Sequence, residues 1–172
     1  MQLAIVRADS LTGSLTPAER NVLASIRGPR RREEWIRGRL AAHRLVDREV
    51  LVDTDGAPRI EDGHISLSHD GIWIAVAVAP TPIGVDLCLR THGSRIAAVL
   101  RWLGVDADDI DPVAQWAALE AVLKLRRLSI EQLRERSLAL RVDGDGIVVR
   151  GIGDDVHVRV TAEPEFVVAL CG

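Results

Sequence analysis

The chain has 172 residues, with 22 Lys plus Arg against 25 Asp plus Glu and a formal net charge of −3. That size admits one domain or two small joined lobes with a real core, and the acidic balance argues against general nucleic-acid binding. No apolar run is long enough to span a bilayer, no signal-peptide pattern opens the chain, and Cys88 and Cys171 form no disulfide framework, so a cytoplasmic setting is expected.

Leu3 to Ala8 reads as a short strand. Thr16-Pro17-Ala18-Glu19 is a capping box with proline at the first helical position, which predicts a helix to about Ile26. A second helix is expected over roughly Arg31 to Arg48. At about 100° per residue it places Arg37, Arg44 and Arg48 on a solvent-facing arc. Trp35, Ala42, Leu45 and Val46 fall on the core side, with Arg39 and His43 at its edge. Asp53-Thr54-Asp55-Gly56-Ala57-Pro58 is turn chemistry. Ser68-His69-Asp70-Gly71 then precedes two apolar strand-like runs, Ile72 to Ala79 and Ile83 to Leu87. A helix at about Ser94 to Leu103 leads into an acidic loop, Asp106 to Asp111. Asp111-Pro112 caps a helix from Val113 to about Arg127, carrying Trp116, Glu120, Leu123 and Lys124 on one face; Ser129 to Arg136 is expected to continue helically. Strands at Leu138–Val142, Ile147–Arg150, Val156–Thr161 and Phe166–Cys171 complete an antiparallel meander. The expected class is α+β, divided into an N-terminal α+β lobe over 1–90 and a C-terminal one over 91–172.

Asp86 is the single charge inside the second apolar run. Strand alternation sets Gly84, Asp86 and Cys88 on one face, so a carboxylate and a thiol should share a space opened by the glycine. Burying that carboxylate is costly unless it is paired or metal-bound. The plain alternative is an aspartate capping a turn. Glu120 and Lys124 make an i,i+4 pair, which by itself is a few tenths of a kcal/mol of helix stabilisation. His69 reads equally well as a polar turn residue, and Cys88 as a small buried hydrophobe. The cations are 21 arginines and one lysine, Lys124, which makes that lysine worth tracing. No glycine-rich phosphate loop, CxxC, HExxH or nucleophile elbow is present.

Taken together, four blocks resemble the 4′-phosphopantetheinyl transferases of the larger, pseudo-dimeric type. Arg32-Glu33-Glu34-Trp35-Ile36-Arg37-Gly38-Arg39-Leu40-Ala41-Ala42-His43 is similar to the family's R-x-x-E-W-x-x-G-R-x-A-A-K helix. Gly56-Ala57-Pro58 resembles its G-x-P turn. Ile65 to Gly71 resembles S-x-S-H-S-G, followed by Ile83 to Cys88 for G-[IV]-D-[IVL]-E. Trp116 to Lys124 resembles W-x-x-K-E-A-x-x-K. The resemblance implies two similar α+β lobes with a ligand cleft between them, and a monomer. It implies transfer of the phosphopantetheine arm of coenzyme A to a serine of an acyl or peptidyl carrier protein. By position, Asp86 and Glu120 would hold Mg²⁺, Glu120 would accept the serine proton, and Lys124 would contact the pyrophosphate. Arg39, His43, Ser68 and His69 would bind the nucleotide.

The chain departs from that pattern where charge matters most. Cys88 stands where the family usually has a second metal-binding carboxylate, and a thiol is a poor ligand for Mg²⁺. Leu119 replaces a lysine beside Glu120, Asp70 replaces a serine after His69, and His43 replaces a lysine. Two rival readings follow: a family member that binds coenzyme A or a carrier protein without transfer, and one repurposed for a different substrate in the old cleft.

Overall fold

The computed structural model describes residues 1–54, 56–107, 109–133 and 136–172. The chain is mixed α+β and divides into two compact units, Met1–Pro82 and Ile83–Gly172. The break lies at Pro82 rather than near residue 90, because the strand that follows it hydrogen-bonds to the C-terminal strand.

The first unit begins with β1 (Gln2–Arg7) and a short 3-10 turn, followed by α1 (Pro17–Ser25) and α2 (Pro29–Ala42). A two-residue ladder of β2 (Leu51–Val52) and β3 (Pro58–Arg59) leads to β4 (His64–Asp70) and β5 (Trp73–Ala79). The sheet runs β1-β5-β4, all antiparallel. Helix α1 starts at the expected capping box: Thr16 Oγ1 accepts from the Glu19 N–H, and Glu19 Oε2 accepts from the Thr16 N–H. At its other end Arg32 donates to the carbonyls of Leu23 and Ile26, the former also accepting from the Ile26 N–H that closes the helix. The core gathers Ala41, Ala42, Val50, Ile65, Ile74 and Val76.

Two expectations change here. Helix α2 ends at Ala42, not near Arg48, as its last turn tightens through Arg44 N–H to Ala41 O and Leu45 N–H to Ala42 O. Arg44 and Arg48 therefore lie beyond the helix, donating to Ser10 O and Asp62. Residues 68–70 are not a turn but the end of a strand, with Ser68 opposite Ala75 and His69 opposite Ile74. The hairpin turns at Gly71, whose φ of 57° suits glycine, and at Ile72. Ser66 and Ser68 are small enough to sit buried in a ladder against alanines. Asp55, in the expected turn, lies outside the described residues.

The second unit begins with β6 (Gly84–Leu89), a 3-10 turn and α3 (Gly93–Trp102). Next come β7 (Asp106–Ala107) and α4 (Pro112–Arg126), and a 3-10 turn at Ile130–Leu133. The unit closes with β8 (Ala139–Asp143), β9 (Gly146–Arg150), β10 (Val156–Ala162) and β11 (Phe166–Cys171). The strands run β6-β11-β10-β9-β8-β7, antiparallel except for the β7–β8 edge. The meander follows the expected boundaries closely. The acidic stretch from 106 opens with β7; Asp108 lies outside the described residues. Asp111 caps α4 by accepting from the Val113 N–H, with Pro112 at the first helical position. Arg127, at a left-handed φ of 53°, stops the helix, so the expected continuation to Arg136 is only the 3-10 turn; residues 134 and 135 lie outside the described residues. The core packs Leu119, Val122, Leu133, Leu140, Val149 and Val167 around α4.

Each unit opens with a strand and closes with strands, with two helices between; in the second the two-residue β7 lies between its helices. In each, the first strand pairs antiparallel with the last, and the last with its predecessor.

Candidate functional site

In the second unit, helix α4 lies directly on β6 and β11. Gly84 makes this approach possible. A Cβ there would stand 1.9 Å from the Ala121 carbonyl oxygen and 2.9 Å from the Leu125 nitrogen. The space that alternation assigns to the Gly84–Asp86–Cys88 face is therefore filled by the helix at its Gly84 end. Cys88, at the other end, belongs to the hydrophobic core, with its Sγ 3.8 Å from the Leu89 carbonyl oxygen. Asp86, between them, meets polar groups from α4. The Lys124 ammonium donates to Asp86 Oδ1 at 2.7 Å and to the Val85 carbonyl at 3.1 Å.

One turn earlier on α4, Glu120 faces the same place. Burial is the main force pushing its carboxyl above the ordinary range; the Asp86 charge adds to it and the Lys124 charge works against it. Asp86, Glu120 and Lys124 thus form one electrostatic group on a helix–strand contact inside one unit. That group was expected to span two lobes, with Asp86 in the first. The pairing of β6 with β11 puts Asp86 in the second unit instead.

Leu119 and Leu123 do not share this face. Leu119 is fully buried in the core, where its side chain cannot stand in for a phosphate-facing lysine, and Leu123 is buried with it. Trp116, Glu120 and Lys124 form the half-buried stripe at i,i+4 spacing.

The donor set suits a hard divalent ion in part. Mg²⁺ commonly takes one or two protein carboxylates and completes its shell with water and substrate phosphate. Asp86 and Glu120 supply that minimum, and the core thiol of Cys88 adds nothing to it. Among the described residues, no group of three or more His, Cys, Asp or Glu side chains is arranged to hold a metal. An ion held by Asp86 and Glu120 would therefore lean on oxygens brought by a ligand.

The first unit holds the other nominated residues. Arg39 and His43 converge, but on a side chain that sequence reasoning did not single out for chemistry. Glu19 is completely buried and accepts from His43 Nε2 at 3.0 Å and from the Val50 N–H at 3.2 Å, besides its cap to Thr16. Burial alone would raise its carboxyl. The backbone donors of Thr16 and Val50 and the partner His43 outweigh that, and hold it below the ordinary range. Arg39 is 5% exposed, stacks at 4.5 Å on the Trp35 ring and leaves its Nε without a hydrogen-bond partner. Burial pulls its guanidinium down to about 10, against the pull of Glu19. Arg39 is thus a buried cation balanced by Glu19. The only sequence signal for Glu19 was its place in the capping box, which explains one of its bonds and none of its burial.

Ser68 is buried in β4, and His69 beside it is exposed, within electrostatic reach of Glu34 on α2. A shallow depression beside the first turns of α2 is lined by Gly28, Pro29, Arg32, Glu33, Ile36 and Arg37, and by none of the nominated residues. Among the described residues, no helix is long and apolar enough to cross a membrane.

Comparison of the chain with models of protein families and with curated proteins gave no match.

Proposed function

We propose that the protein is a phosphopantetheinyl transferase with a reduced metal shell, built as the two-lobed, pseudo-dimeric type. One observation carries the reading. Asp86, Glu120 and Lys124, nominated from blocks more than 30 residues apart, meet in one group with the ammonium 2.7 Å from the carboxylate. The strand order shared by the two units, first-last-penultimate, supports the duplicated architecture.

In this reading the serine oxygen of an acyl or peptidyl carrier protein attacks the phosphorus that bears the pantetheine arm of coenzyme A. The new P–O bond forms as the pyrophosphate P–O bond breaks, releasing adenosine 3′,5′-bisphosphate. Glu120 takes the serine proton, and its raised carboxyl is a stronger base than an ordinary glutamate once ionised. Lys124 places an ammonium beside the pyrophosphate oxygens. Asp86 and Glu120 would hold Mg²⁺, which would supply further neutralisation of the leaving phosphate.

Arg39 favours a second reading. It and His43 are engaged with Glu19, which weakens the nucleotide grip that the resemblance implies. Binding of coenzyme A or a carrier protein without transfer fits that loss. The experiment is direct: incubate the protein with coenzyme A, Mg²⁺ and an apo carrier protein, and weigh the carrier. Transfer adds one phosphopantetheine mass, and Glu120→Gln abolishes the gain. No gain with several carriers, alongside calorimetric binding of coenzyme A, overturns transfer in favour of binding alone.

A further inference from the structure

The carboxylate of Asp86 already has a cation. Its side chain is 8% exposed and that of Lys124 is 30% exposed, so the ammonium is the more open partner of a buried carboxylate. Lys124 is also the only lysine in a chain with 21 arginines. A guanidinium would grip a carboxylate with a rigid, two-pronged fork, whereas an ammonium is a compact charge on a flexible four-carbon stem that can swing away. A divalent ion held by Asp86 would lie within a few ångströms of that ammonium, where two cations repel strongly in a partly buried site. Cys88 lies in the core, so no neighbouring carboxylate on β6 can take over from Asp86.

We propose that Lys124 is the resident counter-ion of the Asp86–Glu120 pair and that a divalent metal enters only by displacing its ammonium. Metal entry and release of Lys124 are then one event. The event turns a lysine that was tied to protein into one that is available to the anionic ligand arriving with the metal. Metal and diphosphate should therefore each raise the other's affinity, because thermodynamic coupling between two ligands is reciprocal. The inference rests on the reading that Asp86 and Glu120 hold the metal, and it adds the order in which the charges exchange.

Because the chain has one lysine, labelling lysine with ¹⁵N gives one ammonium resonance. Titration of the full-length protein with Mg²⁺ should move this resonance out of its hydrogen-bonded position, along the same curve by which Mn²⁺ binding is followed by electron paramagnetic resonance. Lys124→Gln should bind Mn²⁺ about tenfold more tightly, the scale of one charge-assisted hydrogen bond, and Lys124→Arg should bind it no more tightly than the natural chain. Mn²⁺ that binds while the resonance stays fixed overturns the displacement, and leaves the metal-dependent transfer reading standing. Absence of Mn²⁺ binding in both the natural chain and Lys124→Gln, with inorganic pyrophosphate present, also overturns it. The carrier-mass experiment then decides the transfer reading by itself, with no metal measurement involved.

Discussion

Replacing Gly84 by alanine should force α4 off β6. The added methyl carbon would stand 1.9 Å from the Ala121 carbonyl oxygen, and the Leu125 backbone nitrogen is also within 2.9 Å. Both are backbone atoms of α4, Ala121 in its middle and Leu125 in its last turn, so no side chain can rotate to make room. Reaching ordinary contact requires the helix and strand to separate by roughly 1.5 Å or more. Overpacking that a core can absorb costs about 1–3 kcal/mol, and a backbone-on-backbone clash belongs at or above the top of that range. The same separation would stretch the 2.7 Å bond from Lys124 to Asp86 past hydrogen-bonding distance. In urea, where small proteins lose about 1–3 kcal/mol per molar, the midpoint should fall by more than about 1 M. Trp116, on α4, makes fluorescence a suitable reporter. The expected result is an early transition together with loss of the hydrogen-bonded lysine resonance. A variant whose midpoint and lysine resonance both match the natural chain would refute the placement of α4 on β6, and with it the site.

Glu19→Ala should cost about 3–5 kcal/mol by chemical denaturation, because it leaves the buried Arg39 and two backbone donors without their counter-charge. Since the Glu19 carboxyl is lowered in the fold, its contribution is complete above the ordinary glutamate value of 4.5 and is lost as pH falls through the lower folded value; an acid titration of stability should lose that component in the variant. Glu120 has the opposite sign. Its folded carboxyl is raised, so its ionisation destabilises the fold as pH rises above 4.5, and Glu120→Gln should be more stable than the natural chain at pH 7 and gain nothing at pH 4. Cys88→Glu and Leu119→Lys, which would install the charges of the transferase pattern the chain resembles, should each lower stability by more than about 4 kcal/mol because both positions lie in the core; a well-folded Cys88→Glu protein with tightened Mn²⁺ binding would contradict that burial. Asp86→Val combined with Lys124→Met should hold or exceed the natural stability in a thermal melt, since buried ion pairs are commonly matched by apolar replacements. A loss above about 2 kcal/mol in the double variant would make the pair a structural element.

How much of this was legible in the sequence follows from how local each feature is. The Thr16 capping box, the Asp111-Pro112 helix start and the meander from residue 139 are set by neighbours within a few positions, and all three stand in the fold. Asp86 was visible because a lone charge in an apolar strand breaks a pattern, and Glu120 with Lys124 because i,i+4 spacing puts them on one helix face. What decides their meeting is not local. It depends on a glycine that lets a helix touch a strand, about 37 residues away in the chain by the Gly84–Ala121 approach. The end of α2, the strand character of Ser66 and Ser68, and the burial of Arg39 depend likewise on distant partners: Glu19, Ala77 and Ala75. Periodicity ranked Arg39 as an edge residue because it scores a cation as polar, and it cannot register a buried acid on another helix.

The two ion groups differ in a way that bears on function. Around Glu19 the acid is completely buried and its hydrogen-bond donors come from three separate places, the Thr16 cap, the Val50 backbone and the His43 ring. Such a carboxylate fixes the chain segments that donate to it, and its lowered titration reflects that it is bonded on every side. Around Asp86 the arrangement is less complete. A second carboxyl on α4 is pushed toward its neutral form, and the cation that offsets both is a flexible lysine about a third exposed. A group meant only to hold helix to strand gains nothing from adding Glu120 to a satisfied pair, because burial and the Asp86 charge both work against its ionisation. The surplus acid becomes useful only when something else arrives: a divalent ion to take both carboxylates, or a hydroxyl to give up a proton. A glutamate pushed toward its neutral form beside the Asp86–Lys124 pair is therefore the physical reason to place the proposed chemistry in the second unit, and to read the Glu19 cluster as its structural counterpart in the first.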